Sequence, residues 1–336
     1  MNLVKRAFLK ARGILLKIPR LRSNKNPLTI KDFSGYNQPF HPSVIYNENG
    51  IFGYRYWMAQ TPYPIGGRPY RARWECPCIY WSDDGVGWET SDTHNPIDDL
   101  KPKEIANRDY FSDPHLVYRE DTKELECWYR LTHLDRKAMG KKKQYITYIV
   151  RKRTSNGIAW GKRESVINCQ EDDSPNRMIV SPSVLWNPKK RAYCMWYVDD
   201  VFASRNRNII YVESLDGRSW AARTRISMDR YIDPWHIDVN FFDGRYHLIN
   251  YTLEKRKGIN YFISTDGIRF DFVKELLAPS IYRFNSFYRD SLYRSCSVKG
   301  HDGVRLYISA SDGIETSIGL MSGNTLSDLT LVGVQQ

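Results

Sequence analysis

The chain has 336 residues, 41% of them hydrophobic and 14% aromatic, which is too apolar for a disordered chain and enough to bury one sizeable core. Its formal net charge of +12 raises nucleic acid as a partner, but the excess sits at one end of the chain, which argues against a basic binding face on the rest. No apolar run is long enough for a transmembrane helix.

Residues 1–26 read as a separate basic arm. Lys5, Arg6, Lys10, Arg12, Lys17, Arg20, Arg22 and Lys25 meet no acidic residue before Asp32. Val4, Phe8, Ala11, Leu15 and Ile18 fall on one stripe if the segment is helical, with cationic side chains away from it. Such a helix suits an anionic membrane surface; the alternative is a disordered basic tail. Ile14-Leu15-Leu16 is too short an apolar run for a secretory signal, so a cytoplasmic protein, held peripherally at the inner membrane surface, is expected.

Two interleaved repeats organise residues 27–336. In the first, a polar residue, usually followed by Pro, opens a short apolar strand: His41-Pro42-Ser43-Val44, Asp113-Pro114-His115-Leu116, Ser181-Pro182-Ser183-Val184, His236-Ile237-Asp238-Val239 and Ser295-Cys296-Ser297-Val298. In the second, Asp/Asn-Gly and a later aromatic mark a hairpin: Ser82-Asp83-Asp84-Gly85 to Trp88, Thr154-Ser155-Asn156-Gly157 to Trp160, Ser214-Leu215-Asp216-Gly217 to Trp220, and Ser264-Thr265-Asp266-Gly267 to Phe270. Repeats of this length and strand content predict an all-β fold, a five-bladed β-propeller forming one domain.

In chain order, blade one holds strands at 41–46, 51–61 and 75–82, with a Gly/Pro/Arg-rich loop at 62–73. Blade two runs from 113 through 125–130 and 145–152, with a basic loop at 137–143 that reads as solvated surface. Blade three holds 181–186, 192–198 and 209–213, and blade four 237–242, 246–251 and 259–264. Blade five holds 295–298, 304–309 and 317–321, and needs residues 27–40 to supply a closing strand. The cysteines, at 76, 78, 127, 169, 194 and 296, read as reduced core residues. Cys76-Pro77-Cys78 has no second Cys/His pair at ligand spacing, so neither a metal nor another cofactor is expected.

The innermost strand of each propeller blade lines the central channel, so the residues that open these strands converge. His41, Asp113, Ser181, His236 and Arg294 with Ser295 are therefore expected around one opening, a polar cluster suited to a ligand. Trp235 beside His236 and Tyr293 beside Arg294 are the aromatics placed at this site.

The strand-opening Asp-Pro, the Ser-x-Asp-Gly-x-x-Trp turns and the five blades resemble the five-bladed glycoside hydrolases, the arabinanase, xylosidase and invertase-like propellers. That resemblance implies a base opening blade one, an orienting Asp opening blade two and an acidic proton donor opening blade three. Asp113 matches the second of these, and His236 resembles a channel histidine of those enzymes. His41 and Ser181 depart from the other two positions. Glycoside hydrolysis needs two carboxyl groups across the scissile bond, so the missing acid falls to Glu75, Asp199, Asp200, Asp238 or Glu254. His41 remains a candidate base, since an imidazole titrates near about 6.5.

The sequence thus predicts a glycan-active enzyme that hydrolyses or transfers a glycosyl unit. Asp113, His41, Glu75, His236 and Asp238 are its catalytic candidates. Ser181, Trp235, Arg294, Tyr293, Asp199 and Asp200 are its substrate-binding candidates. Carbohydrate or an activated sugar is the expected partner, with no nucleic acid, and fold analogy points to bacterial surface-polysaccharide metabolism. The alternative is a glycan-binding or scaffold propeller that has lost its acid and base.

Overall fold

A computed structural model describes residues 26–65, 75–91, 94–135, 144–168, 177–201, 207–252, 258–279 and 286–333. Residues 1–25 of the expected arm, Cys169, Glu254, residues 66–73 of the expected 62–73 loop and the basic loop at 137–143 lie outside these residues. No helix among the described residues is long and apolar enough to cross a membrane. The other cysteines, Cys76, Cys78, Cys127, Cys194 and Cys296, are buried without disulfides.

Five antiparallel sheets form the blades. Blade one is β1 (Pro39–Ile51), β2 (Tyr54–Pro62) and β3 (Cys78–Ser82). A short helix, α1 (Pro102–Asn107), leads to blade two, which is β4 (Tyr110–Arg119), β5 (Glu124–Asp135), β6 (Gln144–Thr154) and β7 (Glu164–Asn168). Blade three is β8 (Arg177–Asn187), β9 (Ala192–Val201), β10 (Asn208–Ser214) and β11 (Thr224–Arg225). Next, β12 (Ser227–Met228) precedes β13 (His236–Phe242), β14 (Arg245–Tyr251), β15 (Ile259–Ser264) and β16 (Arg269–Leu277) of blade four, and pairs in parallel with β16 as an extra outer strand. Blade five is β17 (Ser291–Gly300), β18 (Gly303–Ser311), β19 (Thr316–Gly323) and β20 (Thr330–Leu331).

Blade five therefore supplies four strands of its own, and the expected closing strand from 27–40 does not form. Residues 26–28 act as a clip instead. Leu28 N–H donates to Ile318 C=O, while Asn26 Nδ2 donates to Leu320 C=O and its Oδ1 accepts Leu320 N–H. β20 pairs with Met321 and Ser322 of β19, and the clip meets the same strand at Ile318 through one backbone bond and at Leu320 through the Asn26 side chain, which is short of a ladder.

Each adjacent pair of blades shares an apolar core. Val117 and Trp128 of blade two pack with Val184 and Met195 of blade three, and five such clusters close the circle. The Asp-Gly turns explain the docking. At each of them the Asp or Asn side chain accepts backbone N–H groups one residue beyond the glycine and two, as Asn156 Oδ1 does from Ile158 and Ala159 at 2.9 Å. The glycine adopts positive φ, and the turn lies on an aromatic ring of the preceding blade: Gly157 on Trp57, Gly217 on Trp128, Gly267 on Trp196. These are larger loops than the two-residue hairpin that Asp-Gly alone suggests.

A Cβ at Gly157 would stand 2.4 Å from the Trp57 ring, at φ 76°. Gly244 has φ 74° and nothing within 4 Å of such a Cβ. Gly157→Ala is expected to cost about 1–3 kcal/mol more than Gly244→Ala, because only the first adds overpacking to the backbone strain. Urea unfolding of both variants checks this, and equal losses would show that the turns do not dock as described.

Candidate functional site

The inner strands β1, β4, β8, β13 and β17 leave backbone N–H groups toward the channel that their own blades cannot satisfy. Side chains of neighbouring blades accept them. Asp113 Oδ2 takes Ser181 N–H at 3.1 Å, Ser181 Oγ takes Ile237 N–H at 2.9 Å, and Ser309 Oγ takes His41 N–H at 2.9 Å. One step down the channel, Ser43 Oγ accepts Leu116 N–H, Ser183 Oγ accepts Val239 N–H, and Asp238 Oδ2 accepts Ser297 N–H. The first repeat is therefore a set of stitches between blades.

Four of the inner strands carry one extra residue at this point, a β-bulge between Phe40 and Ser43, Ser112 and His115, Val180 and Ser183, and Leu292 and Ser295. The ladder is interrupted there, so Pro42, Pro114 and Pro182 cost no hydrogen bond. His41, Asp113 and Ser181 adopt φ of 53°, 55° and 54° at these bulges, a conformation that costs about 1–3 kcal/mol for a residue other than glycine. A bulge re-aims its side chain. Here three blades use it or the start of β13 to gather His41, Asp113 and His236, whose donor atoms all lie within 4.8 Å of one another.

Each member is fully enclosed. Asp113 is paired with Arg130, whose Nε is 3.1 Å from Oδ2, and its Oδ1 accepts Ser112 Oγ–H at 2.9 Å and lies 3.5 Å from His236 Nδ1. Burial alone would raise the Asp113 carboxyl, but Arg130 and the two imidazoles hold it well below the usual carboxylate range. Burial pushes His41 down to about 3 against the pull of Asp113, and drives His236 in the same direction, so both rings are neutral near pH 7. Thr61 Oγ1 engages His41 Nδ1 at 2.8 Å. His41 Nε2 and both nitrogens of His236 are buried with no hydrogen-bond partner among the described residues.

Glu75 completes the upper end. Burial lifts its carboxyl to about 7, against the opposing pull of Arg130 and a hydrogen bond with Ser112. Its Oε2 is buried with no hydrogen-bond partner among the described residues.

The aromatics form a wall beside the imidazoles. Tyr293 lies 4.3 Å from the His236 ring, 5.2 Å from His41 and 5.0 Å from Phe40, and accepts a hydrogen bond from Trp235 Nε1 at 2.8 Å. Arg207 stacks over Trp235 at 4.8 Å and pairs with Asp233 and Asp200.

The remaining candidates are elsewhere. Ser181 spends its hydroxyl on Ile237, accepting N–H and donating to C=O. Arg294 does not stand at the opening: its guanidinium reaches across the channel below the cluster, donating to Pro114 C=O at 2.7 Å and Pro182 C=O at 3.0 Å. Asp238 lies one level lower than His236, with Oδ2 held by Ser297 and Asn240. Adjacent positions on β9 face opposite sides, so Asp200 meets Arg207 while Asp199 turns away from it. Arg130 was not among the sequence candidates; an Arg inside a strand, directly opposite Ser112, was the available signal.

No family model matches the chain. It is 26% identical over 85% of its length to an A type blood N-acetyl-alpha-D-galactosamine deacetylase of Flavonifractor plautii, and spans 43% of that relative. The crystal structure of an N-acetylgalactosamine deacetylase from F. plautii, in complex with blood group B trisaccharide, superposes with a TM-score of 0.69 at 19% identity, covering 86% of this chain and 84% of that one. Sucrose-6-phosphate hydrolase from Lactobacillus gasseri follows at 0.58, with 15% identity over 85% and 61% of the two chains. A family 117 glycoside hydrolase of Zobellia galactanivorans gives 0.53, with 11% identity over 70% and 71%. The fold is the five-bladed propeller of these structures.

Arg130→Leu would leave the buried Asp113 carboxylate without its counter-ion. The expected loss is about 3–5 kcal/mol of stability, read from the urea midpoint. A loss below about 1 kcal/mol would mean that this pair is solvated, like a surface ion pair.

Proposed function

We propose that the protein is a metal-assisted amide hydrolase acting on an N-acetylated sugar of a glycan, with His41, Asp113 and His236 as the ligands. The observation that carries this reading is the set of buried donor atoms within 4.8 Å, three of its imidazole nitrogens having no hydrogen-bond partner among the described residues. Buried polar atoms are costly unless something engages them, and neutral imidazoles with an ionised carboxylate are a donor set for Zn²⁺ or a similar divalent ion. Thr61 orients His41 as an outer partner of such a ligand. A bound divalent ion supplies Lewis acidity to a carbonyl oxygen and lowers the pKa of water. The expectation of no metal is revised on these grounds.

Glu75 is the general base in this reading. It takes a proton from water as the water oxygen bonds to the acetyl carbon; the C–N bond then breaks, the proton passes to the leaving nitrogen, and acetate and a free amine are released. Its place beside Ser112 and its carboxyl lifted to about 7 suit that task. The deacetylase relative supports the choice of bond.

Glycosyl hydrolysis or transfer, the activity expected from the sequence, is less well supported. It needs two carboxyl groups free to act on opposite sides of the bond, and Asp113 is committed to Arg130 and to Ser181 N–H. Amide hydrolysis with a bound ion needs only one base.

The full chain loaded with Zn²⁺ or Mn²⁺ is expected to bind one ion and to release acetate from N-acetylgalactosaminides. His41→Ala and His236→Ala are expected to lose both properties. Glu75→Gln is expected to keep the ion at saturation and KM within a few-fold while kcat falls by about 10²–10⁴. Release of free sugar instead of acetate would overturn the assignment, as would acetate release unaffected by chelation.

A further inference from the structure

The channel does not run open from end to end, because the Arg294 guanidinium spans it between the carbonyls of Pro114 and Pro182. On the far side of Arg294 from the His41 cluster lies a separate cavity of ≈ 180 Å³. Its polar lining comes from the second level of stitches: Ser43, His115, Asp238 and Asn240, with Tyr118 and Trp186 among its lining residues. Each was placed there by the same i, i+2 alternation that raises His41, Asp113 and His236 to the upper end.

Asp238 is 1% exposed, yet it uses only one of its oxygens. Oδ2 accepts Ser297 N–H at 2.9 Å and Asn240 Nδ2 at 3.0 Å. Among the described residues no hydrogen bond reaches Oδ1, whose nearest charged-type neighbour is His115 Nδ1 at 4.0 Å. His115 itself is satisfied: Nε2 donates to Val184 C=O at 3.0 Å and Nδ1 faces Arg294 at 3.4 Å. Asn240 uses its amide N–H groups on Asp238 and Ser297, which leaves its carbonyl oxygen for the cavity. Ser43 Oγ accepts Leu116 N–H and retains a proton to donate.

The cavity thus offers one charged acceptor, one neutral acceptor and one hydroxyl donor, on a wall otherwise made of His115, two aromatics and aliphatic residues such as Val44, Leu116 and Leu185. A bare cation is not what this set selects, because Arg294 bears on Asp238 and offsets its charge. A neutral ligand rich in hydroxyl groups is. The volume is that of about six water molecules, the scale of one sugar ring. We propose that the lower end of the channel is a second carbohydrate site, taking a single neutral hexose unit with two hydroxyls on Asp238 Oδ1 and Asn240, independent of the upper cluster.

The test is ligand-observed NMR and calorimetry on the full chain with D-galactose, D-glucose and D-mannose. At least one is expected to bind saturably in the presence of a chelator and in His41→Ala, which separates this site from the upper one. Asp238→Asn, which turns the facing acceptor toward a donor, and Trp186→Ala, at the aromatic part of the wall, are each expected to weaken binding at least about tenfold, the usual worth of a charge-assisted hydrogen bond or a lost stacking face. Thermal unfolding of both variants guards against misfolding, and Trp186→Ala tests the site even where Asp238→Asn does not fold. The proposal is overturned by hexose binding that disappears in His41→Ala, by no saturable binding of any of the three sugars, or by a Ca²⁺ or Na⁺ site on Asp238 that ignores them.

Discussion

Closure of the ring depends on one constraint: the inner edge of each innermost strand presents backbone N–H groups that no strand of its own blade can satisfy. Side chains one blade away answer it, and they must be short and oxygen-bearing. Ser43, Asp113, Ser181, Ser183, Asp238 and Ser309 all serve. An unsatisfied N–H at each of these buried positions costs about 1–3 kcal/mol, so the polar residues that open the repeats are as much part of the core as the Val and Leu that follow them.

The same constraint fixes where chemistry can occur. A residue that stitches two blades has its side chain at the channel axis, and a bulge turns it further inward. Asp113 does both, binding Ser181 N–H through one oxygen while the other faces His236. Ser181 also sits at a bulge, but its hydroxyl is used on Ile237. His41 stands apart, since its backbone rather than its ring is stitched, by Ser309, and the ring is left to Thr61 and the cluster. Strain from the left-handed conformation at all three is held by the closed ring around them.

This division explains what could be read from the chain. The blade count and the convergence of His41, Asp113 and His236 were legible, because both follow from repeats that mark the starts of inner strands. The fate of Ser181 was not, since a serine facing a ligand and a serine facing a backbone N–H look alike in a sequence. Arg294 was placed in the right channel but at the wrong depth, because its long side chain reaches carbonyls two blades away. The donor set of the upper cluster had no spacing signature at all: its members are contributed singly by three blades, and a metal motif is recognised by short, fixed spacing between ligands. Glu75 was singled out as a carboxylate following a long loop; its proximity to Ser112 and Arg130 is a tertiary property.

The charges around the cluster give the strongest reason to connect Glu75 with a bound ion. Burial keeps both imidazoles neutral, with Arg294 and Arg130 acting in the same direction, and the field of those two guanidiniums also opposes any other cation there. Asp113 answers Arg130, and Asp238, one level down, answers Arg294. That leaves a divalent ion on His41, Asp113 and His236 without an anion of its own, in a place where desolvation makes an unbalanced charge expensive. A further carboxyl that bears on this end is Glu75, whose ionisation burial opposes. An ion would counter that effect, drawing Glu75 to the ionised form in which it can accept a proton from water. Under the proposed chemistry, the residue that balances the ion and the residue that acts as base are therefore the same one, and the site has no need of the second catalytic carboxylate that its glycosidase-like framework would otherwise require.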